Sequence, residues 1–267
     1  MADPQTGDYP VVVGRGRKPA LLHELTIPMK RSPHICLKLL VTTAAVLAFP
    51  TVALAVSQSP PKPVVGSGTI NVPTLSIRSA PRAGAPIIAR LSEFRPQDYR
   101  PQYVLAVAMK RGPKGKPAWF KITVPGRPNG RTGWVHAKQV ALREVPWQVV
   151  VFRDSRVIQL WKKNQLVYTS KVAVGAPGME TPIGLYFVTV RFRPVTEPFL
   201  GTFAFETSAY SKLSEWPGGG VVGLHGTTAP WLLGQAVSHG CIRISNVTAN
   251  FLRDRLPVGA PIRVLAS

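Results

Sequence analysis

Two short stretches hold the side chains able to do covalent chemistry: Leu224-His225-Gly226-Thr227 and Ser238-His239-Gly240-Cys241-Ile242-Arg243. The second contains Cys241, one of only two cysteines in the chain, the other being Cys36. A thiol of ordinary pKa, about 8.5, is mostly protonated at neutral pH, so a nucleophilic cysteine needs an imidazole beside it to form a thiolate–imidazolium pair. Attack on a carbonyl builds an oxyanion, which needs backbone N–H donors, and Gly240 permits the tight backbone such a hole requires. Arg243 lies two residues beyond Cys241, on the same face if the chain is extended there, and can grip a carboxylate with two parallel hydrogen bonds. The alternative is that Cys241 is a buried small hydrophobe and the histidines are structural. Burial alone leaves unexplained why Ser, His, Gly and Arg crowd around this thiol.

The elements that must position these residues are strands. The chain has 267 residues, 45% hydrophobic and 17% charged, which excludes wholesale disorder. Its 23 Gly and 27 Pro follow no Gly-X-Y period, so collagen is excluded and a turn-rich, mainly β fold is expected. With 33 Lys+Arg against 12 Asp+Glu the net charge is +21, which favours an anionic partner such as nucleic acid, a membrane surface or a cell wall.

Near the N-terminus, Met29-Lys30-Arg31 and Lys38 precede an apolar run, Leu39–Phe49, then Pro50 and Ala53-Leu54-Ala55. A basic start, a short apolar helix, a breaker and small residues are the order of a secretory signal, and this run is well short of the ~20 residues that span a bilayer. Residues 1–55 are therefore expected to be a signal segment with its lead, the true start falling at Met29 or the lead being cytoplasmic. Cleavage is expected after Ala55, with an uncleaved anchor as the alternative and the only expected tie to the membrane. Loss of 1–55 would remove six basic and three acidic residues and leave +18, so the basic character belongs to the exported part. Cys36 would leave too, so the mature chain could form no internal disulfide. Export argues against a nucleic-acid partner and for an anionic wall.

Residues 56–67, with Pro60, Pro61 and Pro63, read as a linker. Short strand-like runs follow at Leu75–Arg78, Pro86–Leu91, Tyr103–Val107, Trp119–Val124 and Gly133–Val135, with an Asn129-Gly130 hairpin turn. Ser76-Ile77-Arg78-Ser79-Ala80-Pro81, Ala118–Ile122 and Asn129–Val135 resemble a bacterial SH3-like domain over 68–143, in which Trp119 and Trp134 are expected to be core or packing aromatics, with ligand stacking as the alternative. A second domain is expected over 147–267. It opens with runs at Trp147–Phe152, Arg156–Trp161 and Leu166–Val174 and ends with a short helix at Asn246–Leu256 and a strand at Ile262–Leu265. Phe251, Leu252 and Leu256 should face inward. Pro194–Gly220 has few periodic apolar signals and reads as a long loop. No metal-ligand spacing or Gly-rich phosphate loop occurs, so neither a metal nor another cofactor is expected.

Chain order separates the thiol enzymes. Papain-like peptidases place Cys before His, and no histidine follows Cys241. Sortases place His first, but with a wider gap than the 16 residues from His225 to Cys241 and a different motif. His225-Gly226-Thr227, a spacer and Ser238-His239-Gly240-Cys241-Ile242-Arg243 resemble the L,D-transpeptidase catalytic domain of YkuD type. Ala173-Val174-Gly175, Thr181-Pro182-Ile183-Gly184 and Leu256–Val264 add to the likeness. The resemblance implies a β-sandwich domain with a short helix. It makes Cys241 the acyl-accepting nucleophile and His225 its base, oriented by the Gly226 carbonyl. Backbone around Gly240 and Cys241 would then form the oxyanion hole, and Arg243, His239 and Ser238 would contact substrate. Peptidoglycan stem peptides would be the partners, 3→3 cross-linking through a thioester the reaction, and the cell envelope the location. Hydrolysis (an L,D-carboxypeptidase), protein anchoring, or a non-enzymatic wall-binding protein are the alternatives.

Overall fold

The computed structural model describes residues 59–215 and 217–267. The expected signal segment, the start at Met29 and the first three linker residues lie outside the described residues. Among the described residues no helix is long and apolar enough to cross a membrane.

The first unit is one antiparallel sheet of seven strands: β1 (Gly66–Ile70), β2 (Thr74–Arg78), β3 (Ile87–Ser92), β4 (Tyr103–Arg111), β5 (Pro117–Thr123), β6 (Thr132–His136) and β7 (Val140–Arg143). They lie in the order β3-β2-β6-β5-β4-β1-β7. Five of the seven coincide with runs legible in the sequence. β1 and β7 do not, because β1 is mostly small residues. It passes so close to β7 that a methyl on Gly68 would fall 1.8 Å from the Ala141 carbonyl oxygen. Gly66 and Ser67 thus belong to the sheet and not to a linker; Ser67 is buried and donates its hydroxyl to the Val104 carbonyl.

The core of this unit is Ile70, Leu75, Ile77, Val104, Ala106, Phe120, Ile122, Val124, Val135 and Val140. Trp119 and Trp134 are outside it, so of the expected core or packing roles the core one does not hold. Strand alternation sends their neighbours Phe120 and Val135 inward, so the two indoles stand half-buried on the other face. There the Trp119 ring meets His136 edge-on, 5.3 Å between centroids.

The second unit begins four residues after β7. Its strands are β8 (Trp147–Phe152), β9 (Val157–Lys162), β10 (Gln165–Lys171), β11 (Val174–Gly175), β12 (Gly184–Phe192), β13 (Ala204–Tyr210), β14 (Val221–His225), β15 (Ala236–Ser238), β16 (Ile242–Arg243) and β17 (Pro261–Leu265), with one helix, α1 (Asn246–Arg253), between β16 and β17. Eight of them form a mixed sheet, β10-β9-β8-β17-β12-β13-β14-β16, while β11 and β15 pair parallel beside it. β8 and β9 are almost continuously buried because both faces are covered. Val149, Val151, Ile158 and Leu160 join the main core, and Val150, Phe152 and Trp161 form a small cluster on the opposite face. β10, at the edge, alternates exposed and half-buried residues.

The helix forms because Ser245 caps it, its hydroxyl accepting the Thr248 N–H at 3.0 Å. Leu252 and Leu256 are fully buried, and Phe251 is half-buried, stacked on Tyr168 at 4.5 Å. The helix closes at Arg253, so Leu256 packs from the turn beyond it. The turn-rich stretch expected as one long loop is instead split by β13, a central strand. Its residues, Ala-Phe-Glu-Thr-Ser-Ala-Tyr, carry one large core side chain, Phe205, and the neighbours β12 and β14 supply the ladder that holds it.

Leu224, in β14, is fully buried behind the motif residues. Leu224→Ala is expected to cost about 2–5 kcal/mol of stability, because the packed strands around it cannot close the cavity. Chemical denaturation of the full chain would read this as a lower midpoint with an unchanged slope.

Candidate active site

β13, β14 and β16 lie side by side. Ala204 stands opposite His225, and His225 opposite Arg243. Strand alternation then sorts their side chains. Phe205, Leu224 and Ile242 enter the core, each fully buried. Glu206, Gly223, His225 and Arg243 face the other way, where they line a cavity of about 340 Å³. Cys241, Ser238 and His239 line the same cavity. The two motifs, separated by a spacer in sequence, are thus brought to one wall by the parallel pairing of β14 with β16.

The thiol and the imidazole both lie against Gly223. Cys241 Sγ accepts the Gly223 N–H at 3.3 Å. A methyl on Gly223 would sit 3.5 Å from His225 Cδ2 and 3.7 Å from Cys241 Sγ, so a side chain there would fill the space between the two groups. Gly223 was not singled out in the sequence, and its only signal is a glycine at an alternating position before His225.

His225 is buried, with Nδ1 2.6 Å from the Gly226 carbonyl oxygen. A carbonyl only accepts, so Nδ1 carries the proton and Nε2 is the basic nitrogen. Burial lowers the imidazole to about 4, against the opposing pull of the Gly226 carbonyl, and the Arg243 charge lowers it further. Burial also pushes the Cys241 thiol up, opposed by the Gly223 N–H and by Arg243. At neutral pH the resting pair is therefore thiol and neutral imidazole. This differs from the thiolate–imidazolium pair expected from residue types, because both groups have lost the water that would stabilise their charges.

The backbone beneath the pair is held from several sides. Asn246 Oδ1 accepts the N–H groups of Thr202 and Thr227, at 3.1 and 3.2 Å, straddling Gly226. A methyl on Gly226 would lie 2.3 Å from that oxygen. The Ile244 N–H donates to the His225 carbonyl at 2.9 Å. Ser238 is buried and closes the second motif: its hydroxyl donates to the Cys241 carbonyl at 2.6 Å and accepts the Gly240 N–H at 3.2 Å. The buried Thr181 hydroxyl donates to the Gly240 carbonyl at 2.9 Å. Gly240 adopts φ +116° with Ser211 packed against it, a place where a methyl would fall 2.9 Å from the serine Cβ.

The predicted site residues thus divide by position. Cys241, His225, His239, Ser238 and Arg243 line the cavity, whereas Gly226 and Gly240 shape the backbone around it. Because its N–H is taken by Ser238, Gly240 contributes the turn and not a donor to the cavity. Thr181 is marked in the sequence only through the Thr181–Gly184 likeness and Asn246 only as the start of a helix; their supporting roles are not legible there, because both act through backbone groups distant in sequence. Among the described residues no three His, Cys, Asp or Glu side chains gather in a way that could hold a metal ion.

With this geometry in view, residues 146–264 match the family model of the L,D-transpeptidase catalytic domain, YkuD. That segment is similar to YkuD-type L,D-transpeptidase catalytic domains. A protein of Bacillus licheniformis named as the L,D-transpeptidase YkuD is 29% identical over 120 residues, 45% of this chain and 66% of that protein. Its counterpart in Bacillus subtilis (strain 168) is 27% identical over 150 residues, 56% of this chain and 77% of that protein. Among solved structures, an L,D-transpeptidase from Mycobacterium smegmatis aligns with a TM-score of 0.38 at 13% identity, covering 55% of this chain and 90% of that one.

Proposed function

We propose that the chain is an exported peptidoglycan L,D-transpeptidase working through a Cys241 thioester, and that the single observation carrying this is the placement of Cys241 and His225 on either side of the bare Gly223. His225 Nε2 takes the thiol proton as Sγ attacks the carbonyl of the third, diamino residue of a tetrapeptide stem. The neutral resting pair suits this, because the proton moves when the carbon–sulfur bond forms and no isolated thiolate need be buried. The oxyanion is met by the Cys241 N–H, since that of Gly240 is occupied. Imidazolium returns the proton to the leaving D-alanine amine, and a thioester remains. The side-chain amine of a second stem, deprotonated by His225, attacks the thioester, forms the new amide and returns the thiol: a 3→3 cross-link. Arg243 takes the stem's carboxylate. Water in place of the amine would give a carboxypeptidase, and a protein amine an anchoring enzyme.

The first unit is, on this reading, an SH3-like module of the same wall enzyme, in keeping with its seven short antiparallel strands and Asn-Gly hairpin. Net charge +21 favours an anionic wall, an attraction that salt should weaken.

The test is intact-mass analysis of the chain lacking residues 1–55 after incubation with a carbapenem, whose strained cyclic amide acylates an accessible nucleophile. Addition of one carbapenem mass to the wild type and none to Cys241→Ala is the expected outcome. Stem peptides then identify the acceptor: a dimer of stems for transpeptidation, a tripeptide for hydrolysis. No adduct, with Cys241 also inert to iodoacetamide, would turn the reading to a wall-binding protein.

A further inference from the structure

The cavity beside Cys241 contains two carboxylates. In a chain of net charge +21, two of the nine carboxylates among the described residues, Glu197 and Glu206, line this one space. They differ in how they are held. Glu197 is exposed on the loop after β12. Glu206 is fixed in the sheet, opposite Gly223, in the row that leads to Cys241. Its Oε2 accepts Nη2 of Arg95 at 2.9 Å, and Arg95 comes from the loop after β3 in the first unit, 111 residues away. That guanidinium is 12% exposed and shared: its Nε donates to Asp98 at 3.1 Å, and Arg100 approaches the far side of Asp98 at 3.7 Å. Glu206 Oε1 accepts no hydrogen bond from the described residues, and the side chain is 35% exposed.

A carboxylate can accept about four hydrogen bonds, so one held by a single guanidinium N–H and opened to a cavity retains capacity for another cation. The spacing suits a particular one. Two strand steps of about 4.8 Å separate the Glu206 backbone from the edge carrying Cys241. A diamino acid has six bonds between its reacting carbonyl carbon and its side-chain nitrogen, about 7.5 Å extended at ordinary bond lengths. Gly223, between the two rows, presents no side chain to such a chain lying across it.

We infer that Glu206, held by Arg95, is the residue that recognises a primary ammonium group on the substrate, the side-chain amine of a stem's diamino residue. This rests on the transpeptidase reading above and deepens it. Arg243 then takes a carboxylate at one end of the row beside the thiol while Glu206 takes an ammonium two strands away, which fixes the direction of the stem across Cys241. The first unit contributes to specificity through Arg95. The amine comes from the stem under attack or from the incoming one, and the two half-reactions separate them.

The experiment compares wild type, Glu206→Gln and Glu197→Gln, using a tetrapeptide donor whose side-chain amine is free or acetylated. Acylation is followed alone, as D-alanine release and thioester mass. Transfer is followed with a second stem added. If Glu206 reads the donor amine, Glu206→Gln lowers kcat/KM for the free-amine donor about tenfold, the loss of one charge-assisted hydrogen bond, and leaves the slower acetylated donor unchanged. If it reads the acceptor, acylation is unaltered and transfer falls by a like factor. Glu197→Gln should change neither. Equal losses on free and acetylated donors, or no loss in either half-reaction, would overturn the inference and leave Glu206 a structural partner of Arg95. Alkylation of Cys241 by neutral iodoacetamide should be equal in all three proteins. Wild type that alkylates but releases no D-alanine from any stem would fail the transpeptidase reading itself, an outcome distinct from the others.

Discussion

Cys241→Ala is expected to abolish acyl transfer while leaving the fold intact. Without Sγ there is no covalent intermediate, and only the stabilisation supplied by the oxyanion donor and by substrate binding remains. A fall of at least about 10⁴ in kcat is therefore expected. Stability should change little, because the thiol makes one hydrogen bond, from the Gly223 N–H at 3.3 Å, and lines an existing cavity, so its loss enlarges that space instead of opening a new one in a packed interior. Turnover of a stem tetrapeptide, measured beside a thermal melt, checks both halves. Cys241→Ser is the sharper variant. It keeps the shape and the hydrogen bond, but a hydroxyl is a far weaker acid than a thiol, so the same imidazole cannot activate it well. Retained activity in Cys241→Ala would remove the thiol from the reaction and with it the mechanism proposed above.

His225→Gln should lower the acylation rate by about 10² to 10⁴, the usual contribution of a positioned general base. The pH profile carries the discriminating information. Wild-type acylation should rise with pH as the imidazole loses its proton near pH 4 and then level, and this limb should vanish in the variant. At high pH, where the thiol ionises unaided, the gap between the two proteins should narrow. A stability consequence follows from the same group. The folded imidazole titrates below the ordinary histidine value of 6.5, so the unfolded chain binds more protons between about 4 and 6.5. This contribution is present above pH 6.5 and is lost as pH falls through that window, about 3 kcal/mol in all. Urea unfolding at pH 7 and pH 4 in wild type and His225→Gln would isolate it, the variant lacking that part of the pH dependence.

Other parts of the site act only through assembly. Asn246 is simply the first residue of a short helix until the fold sets its amide oxygen under Gly226, where it collects two N–H groups from different loops. Glu206 reads as one acidic residue in a turn-rich stretch until β13 joins the sheet beside β14 and Arg95 reaches it from the other unit. The hairpin at Arg127–Gly130 behaves likewise. Asn129 pairs its side-chain amide with both the N–H and the carbonyl of Tyr210. Arg127 donates to the carbonyls of Ser211, Leu213 and Gly219 in the loop that follows. That loop borders the cavity at Gly218. A hairpin foreseen only as a turn is therefore also a brace for the wall of the cavity.

What the sequence determined by itself is local. Short apolar runs bounded by turn residues, alternating in some strands and continuous in β4, β8 and β9, specify β2 to β6, β8 and β9 because they are written in consecutive residues. The spacing of Phe251, Leu252 and Leu256 marks α1, and the Cys241 thiol beside His239, Gly240 and Arg243 announces reactive chemistry before any fold is known. The tertiary structure decided the rest: that β1 and β7 pair, that β13 is a strand at all, that Trp119 and Trp134 stand outside the core, and that His225 and Cys241 share a cavity with Glu206. It also decided the protonation state of the pair, since the depressed imidazole and the raised thiol both arise from burial. The reason is common to all of these. Each depends on backbone ladders, desolvation or close packing between segments tens of residues apart, and such terms come into being only once the strands have chosen their neighbours.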